Sequence, residues 1–247
     1  MAFHFSPKIV TEGLVFMMDA ANLRSYPGTG DTLTDMISNL SILFAGTATF
    51  PSFDSDDMGS IFFDNPLNDL GIYSHVRVND MGDSPIGNVL TAMTLEVFFK
   101  PNGNGNTTAF LIRAGGGNDQ RYGLPYVRAS GTVRFNYKNQ TTGTFTSTAI
   151  SANDVITLNK WNQACCTIDE SGNVVTYVNG IASGTGTVNL SDLQTLNTTS
   201  DLGIGGTTGN TGQWFGGHIS VVKIYNRSLS ADEVLQNYRA FKSRYGL

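Results

Sequence analysis

The sequence is poor in charge. Asp, Glu, Lys and Arg make up 14% of its 247 residues, and they balance to a net −5. No basic stripe runs along it, which sets nucleic acid aside as a partner. No apolar run reaches the length of a membrane span, which sets membrane insertion aside. The opening MAFHFSPKIVTEG has no basic stretch followed by an apolar one, so no signal peptide is expected. The two cysteines, Cys165 and Cys166, are adjacent. Neighbouring Cα atoms about 3.8 Å apart do not suit an ordinary bridge. A disulfide framework is therefore excluded, and folding in a reducing cytoplasm is expected.

Catalytic residue types are also scarce. His4, His75 and His218 lie far apart in sequence, and no G-x-S-x-G nucleophile motif occurs. Glycoside hydrolysis needs two carboxylates facing one bond, about 5–5.5 Å apart for retention. The glutamates are Glu12 near the N-terminus, Glu96 on a strand between Thr94 and Phe98, Glu170 in a turn and Glu233 at a helix start. None forms a local pair, so the expectation is a protein without enzymatic activity. His218 reads as a satisfied strand histidine, and the cysteines read as packing residues.

Glycine is plentiful, with 28 residues among many Thr, Ser and Asn, and this suits short strands joined by turns. No linker or repeat divides the chain. Residues 1–12 read as an arm and 13–247 as one domain. Leu14–Asp19, Gly59–Asp64 and Thr94–Lys100 read as strands, the last halted by Pro101. Tyr122–Arg128 and Thr132–Lys138 flank the hairpin signal Ser130-Gly131. In the second of these, Val133, Phe135 and Tyr137 alternate with Thr132, Arg134, Asn136 and Lys138, so one face should meet solvent or a partner. Ala164–Asp169 and Val174–Asn179 form another hairpin, and Leu202–Gly206 a short strand.

The last stretch carries most of the pattern. Phe215, Ile219, Val221 and Tyr225 fall at even spacings, with Val222 and Ile224 between them. A strand apolar on both faces is expected to be central. The period then changes. Ser230-Ala231-Asp232-Glu233 is a capping box, and Val234, Leu235, Tyr238 and Phe241 recur at helical steps.

These motifs carry a resemblance. Trp214-Phe215-Gly216-Gly217-His218-Ile219 followed by Tyr225-Asn226-Arg227-Ser228-Leu229-Ser230 resembles the closing motif of concanavalin A-like, laminin G-like domains. The variant it looks most like is found in structural proteins of tailed phages. The opening GLVFMMDAANLRSYPGTG, the strand Thr94–Pro101, and Trp161 with Tyr177-Val178-Asn179-Gly180 are similar to further family motifs. Where the family has a W-x-D-x-S-G-N turn, this chain reads Leu33 to Asn39 without the aromatic or the glycine, so a changed loop is expected. The resemblance implies an all-β, concanavalin A-like jelly-roll sandwich of two antiparallel sheets with a short C-terminal helix.

It also implies a function. The first reading is a non-enzymatic virion protein of a tailed phage, assembled in the host cytoplasm as a capsid decoration or tail component. Its partners would be a major capsid or tail protein. The arm would dock there through Phe3, Phe5 and Ile9. The alternative is a carbohydrate-binding lectin module. Its ligand would meet Asn118, Asp119, Arg121 and Tyr122 beside the AGGG loop, and Trp214. No cofactor is expected. Calcium stays open without a placed site, because Asp54-Ser55-Asp56-Asp57 offers hard oxygen ligands but also suits a solvated loop.

Overall fold

The structure, a computed structural model, describes residues 7–46, 49–65, 74–78, 91–105, 108–114, 122–139, 142–193, 201–206 and 213–247. In chain order the strands are β1 (Leu14–Asp19), β2 (Thr32–Thr34), β3 (Ser41–Gly46), β4 (Ser52–Asp54), β5 (Ser60–Phe63), β6 (Ser74–Val78) and β7 (Met93–Gly105). There follow β8 (Thr108–Ala114), β9 (Tyr122–Val127), β10 (Thr132–Val133), β11 (Phe135–Lys138), β12 (Phe145–Thr148), β13 (Asn162–Ile168), β14 (Asn173–Val178), β15 (Ile181–Thr187), β16 (Leu202–Ile204) and β17 (Phe215–Tyr225). One helix, α1 (Ala231–Tyr245), closes the chain.

The strands form two antiparallel sheets. One runs β15-β14-β13-β7-β17-β5-β4, with β1 also on β17; the other runs β12-β11-β9-β8-β16-β6-β3-β2, with β10 on β9. Their facing sides share one apolar core, which includes Phe16, Phe63, Phe99, Phe135 and Phe215. Each such side chain, fully buried, stabilises the fold by about 1.5–3 kcal/mol relative to exposure. This is the jelly-roll sandwich expected from sequence.

β17 is the central strand. It pairs with β7 along its length, and its other edge is shared by β1 near Val221–Tyr225 and β5 at Gly217–Ile219. All eleven of its residues are buried. The alternation changes phase where the register with β7 shifts between Ile219 and Val221. Such a bulge moves later side chains to the other face. Ile219, Val222 and Ile224 therefore enter the core between the sheets, while Val221 and Tyr225 face α1.

Pro101 does not halt β7, which continues to Gly105. It pairs with Gly217 beside a second register shift, between Phe215 and Gly217, and a bulge tolerates a residue without an N–H. The Thr132–Lys138 segment also departs from expectation. Its apolar face enters the core, but Thr132 and Asn136 on the other face are buried as well.

The helix forms as its cap predicts. Ser230 Oγ accepts from the Glu233 N–H at 3.2 Å, and the Glu233 carboxylate accepts from the Ser230 N–H at 2.9 Å. Gly246 ends the helix at φ 67, the left-handed conformation that glycine adopts without strain. Val234 packs by Tyr225, and Phe241 and Tyr245 pack by Phe98, Trp161 and Met17.

Residues 7–12 lie on this same outer layer. The Val10 N–H donates to Asn237, Tyr225 Oη donates to the Val10 carbonyl at 3.0 Å, and Gln236 donates to the Lys8 carbonyl. Ile9 is half-buried against the cluster under α1. Ile9, expected as an anchor of the arm, thus packs partly on the chain's own cluster, while Phe3 and Phe5 lie outside the described residues.

Candidate functional site: an aromatic cleft at the sandwich edge

β4 ends one sheet and β2 the other. A cleft of about 490 Å³ lies at this edge. Its walls are the segment leading into β2 and the segment leading into β4. Tyr26, Phe44, Phe50 and Phe53 line it, with Pro51 beside them. Tyr26 is buried and anchors the group. Its ring stacks with Phe44 at a centroid distance of 5.9 Å and leans on Phe53 at 4.9 Å. Phe44 and Phe53 are half-buried against the core. Phe50, by contrast, is 60% exposed at the rim. A large aromatic in that position costs solvation that a ligand's apolar face would recover.

Local sequence builds the walls. Asn22 N–H bonds to the Asp19 carbonyl, and Ser25 and Tyr26 N–H groups both bond to the Asn22 carbonyl, which closes a tight turn after β1. Ser25 Oγ donates to the Thr34 carbonyl and ties this turn to β2. Tyr26 Oη donates to the Gly30 carbonyl at 2.7 Å, which fixes the loop in between. Gly28 and Gly30 stand at φ +90 and +91, where a side chain would be strained, and the space where a Cβ would stand is open at both. Asp31 and Ser52 supply the polar side chains of the lining. Burial raises the Tyr26 phenol pKa, and the Asp31 charge raises it further.

The turn at Leu33–Asn39 is held by its own buried groups. Leu33 is fully buried. The buried Asp35 carboxylate accepts from the Met17, Ile37 and Ser38 N–H groups and from the Ser38 hydroxyl. Asn39 takes the left-handed conformation at φ 61, which asparagine adopts more readily than most residues.

Of the residues expected to bind a sugar, Tyr122 and Trp214 are described, and neither lines this cleft. Asn118, Asp119 and Arg121 lie outside the described residues. Tyr122 is only 2% exposed, with its ring stacked on Phe135 in the core. Trp214 is 4% exposed and is bridged to Gly206 beside β17. Both are packing residues with no open face. The cleft residues Phe44, Phe50 and Phe53 had one readable signal, the aromatic spacing of Phe44-Ala45-Gly46 and Phe50-Pro51-Ser52-Phe53. Nothing local joins that run to Tyr26.

A second polar cluster lies on the outer face of the β17 sheet. Asp54, Asp57 and His218 bring one ligand atom each to within 4.8 Å of one another. The carboxylates approach different ring nitrogens, Asp54 near Nδ1 at 3.9 Å and Asp57 near Nε2 at 3.4 Å. Ser60 Oγ is also 3.1 Å from Nδ1. Asp57 already pairs with the Lys100 ammonium and accepts from Trp161 Nε1 at 3.1 Å. Calcium takes six to eight oxygen ligands. Two carboxylates split by an imidazole, one of them neutralised by a lysine, do not fit it.

The same cluster is a poor acid catalyst. Burial pushes the Asp57 pKa up, but Lys100, His218 and Trp161 outweigh it and hold the carboxyl below the usual range. A general acid needs the opposite shift. Glu96 is fully buried under α1 with Lys223, and Glu233 pairs with Arg227. Burial pushes both cysteine thiols well up, the opposite of the shift that activates a nucleophilic thiol.

Two face-to-face antiparallel sheets, a central closing strand and a terminal helix define a lectin-type jelly roll. The chain belongs to the concanavalin A-like lectin/glucanases superfamily, whose laminin G 3 model matches residues 70–235, more than half of the chain. No curated protein matches it in sequence. Solved structures share the fold at low identity. Domain 4 of AbnA, an extracellular GH43 arabinanase of Geobacillus stearothermophilus solved with arabinotriose, is 15% identical with a TM-score of 0.64, over 91% of this chain and 98% of that one. The binding domain of botulinum neurotoxin DC, solved with SialylT, is 12% identical with a TM-score of 0.64, over 92% of this chain and 51% of that one. Trypanosoma rangeli sialidase is 17% identical with a TM-score of 0.62, over 96% of this chain and 34% of that one. The chain thus spans about half of the toxin domain and a third of the sialidase. No described helix is long and apolar enough to cross a membrane.

Proposed function

We propose that this chain is a non-enzymatic glycan-binding module and that its ligand lies in the aromatic cleft at the sandwich edge. The observation that carries this reading is the cleft's make-up. A sugar ring offers an apolar C–H face and a rim of hydroxyls. The cleft offers the aromatic side chains of Phe44, Phe50 and Phe53 beside Tyr26, with Asp31, Ser52 and the backbone near Gly28 and Gly30 as polar partners. Large apolar surface with a few placed polar groups is the usual composition of small-molecule sites. The arabinanase domain and the toxin domain, both solved with carbohydrates, support the reading by shared fold. The non-enzymatic reading is supported by Glu96, buried in an ion pair with Lys223, and by Asp57, paired with Lys100.

The setting we propose is the virion of a tailed phage, on capsid or tail. It rests on the resemblance of the opening and closing motifs. The mass and copy number of the chain in purified particles test it, and absence from particles would remove it without touching the glycan reading.

The glycan reading is tested by titrating the full chain with a panel of neutral, amino and acidic oligosaccharides. Phe50 is exposed, so Phe50→Ala should leave the melting temperature unchanged and weaken binding about tenfold, the size expected for losing one stacked ring. Unchanged affinity in that variant, or no binding by any glycan, would overturn the proposal.

A further inference from the structure

The cleft's charge adds a selectivity that its shape does not. Among the described lining residues Asp31 alone is charged, and it carries a carboxylate. None of the described lining residues is a lysine, arginine or histidine. The described lining also includes four aromatic rings, of which Phe50 is the most exposed, and a ring face carries partial negative charge. The chain as a whole is at −5, so the wider field has the same sign.

We infer that the cleft selects glycans whose sugars carry a protonated amine over their N-acetylated counterparts and over acidic glycans, with Asp31 as the ammonium's partner and the aromatic rings beside it. This rests on the glycan-binding reading and sharpens it. Asp31 is exposed, and its side chain makes one described hydrogen bond, from Thr32 Oγ1 at 3.1 Å. The carboxylate is therefore free to turn to a ligand. Its influence on the Tyr26 phenol indicates that its field reaches the cleft interior. An acidic sugar would meet the same carboxylate and the same ring faces with the opposite sign. Carboxylate-bearing glycans such as sialylated ones are the class this cleft should reject.

The test uses the full chain and three probes: β-1,4-linked glucosamine oligomers, their fully N-acetylated forms, and a sialylated trisaccharide. Calorimetric titrations are run where the amine is protonated, at low and at high salt. An exposed ion pair and an exposed cation–π contact together support a preference of about tenfold for the amine form. Asp31→Asn should weaken the amine form more than the N-acetylated one and so erase that preference, and salt should narrow the gap. Phe50→Ala should weaken both forms, which separates cleft binding from loose attraction of a polycation to an acidic protein. Equal affinity for the two forms would overturn the inference while leaving the glycan reading intact. So would an Asp31→Asn variant that loses both forms alike, or tighter binding of the sialylated probe. Amine binding untouched by Phe50→Ala would overturn it too, by placing that binding elsewhere. If no probe binds and the wider panel is also silent, the glycan reading itself fails.

Discussion

The buried ion pair between Glu96 and Lys223 should behave as a coupled unit. The two residues face each other across β7 and β17, and both side chains are fully buried with 3.0 Å between ammonium and carboxylate. Glu96 also accepts from Gln163 at 3.0 Å and from Asn237 at 2.9 Å. Asn237 in turn holds the Val10 N–H and contacts Tyr225 Oη at 2.9 Å, so the network joins sheet, helix and N-terminal segment. Lys223→Met leaves a carboxylate under α1 with amide donors only, and such an unpaired buried charge costs about 3–5 kcal/mol. Glu96→Gln leaves the ammonium above Phe241, 4.9 Å from its centroid, and near Phe98 at 5.8 Å. A desolvated cation–π contact retains about 2 kcal/mol, so this variant should be the milder one. The double variant removes both charges and should lie within about 1 kcal/mol of the parent. A domain of ordinary stability, about 5–15 kcal/mol, still folds with either single change. Urea unfolding followed by the fluorescence of Trp161 and Trp214 measures all four proteins, with constant m confirming comparable states. Single effects that simply add, with a coupling under about 0.5 kcal/mol, would refute the argument.

Stability should also fall with mild acid. Burial, with Arg77 adding to it, pushes the His75 pKa down from 6.5 to about 4. The unfolded chain takes up this proton near 6.5 and the folded chain only near 4. Stability is therefore full above about pH 6.5 and declines as pH drops through that window, by up to about 3 kcal/mol. His218, also lowered chiefly by burial, adds a decline of the same sign. Urea midpoints at pH 7.5 and 4.5 should differ less in a His75→Asn variant than in the parent, and an equal difference would assign the decline to other groups. Ser230→Ala removes the cap on Glu233 N–H and should cost about 1 kcal/mol, read as a lower urea midpoint at unchanged m.

The closing stretch was the most legible part of the chain because its determinants are local. A capping box and a change to helical spacing lie within Phe215–Tyr245, and the structure uses both, while the two-residue period changes phase at the bulge between Ile219 and Val221. The Tyr-Asn-Arg motif proves to be a lock between strand and helix. Arg227 pairs with both Glu233 oxygens, at 2.8 and 2.6 Å, and donates to the Glu12 carbonyl. Buried polar residues were less legible. Alternation marks Thr132, Asn136 and Glu96 as solvent-facing or solitary, because a pattern of apolar and polar letters cannot show a second layer. Here α1 covers the outer face of one sheet, and Glu96 finds Lys223, Gln163 and Asn237 beneath it.

The cleft was illegible for a topological reason. Tyr26 precedes β2 and Phe53 lies on β4, and these strands belong to different sheets. They meet because each ends its own sheet at the same edge of the sandwich. Both edge strands are three residues long. A short edge strand offers few unpaired backbone groups for another strand to extend, which is a known protection against edge-to-edge association. It also has a consequence for the side chains. Where the ladders stop after three residues, no further described strand covers Phe44 and Phe53, so rings that begin as core residues are left half-covered at the boundary. The exposed Phe50 then extends that surface outward. The aromatic cleft thus follows from how the two sheets end, and Asp31 reaches it from the loop that leads into β2.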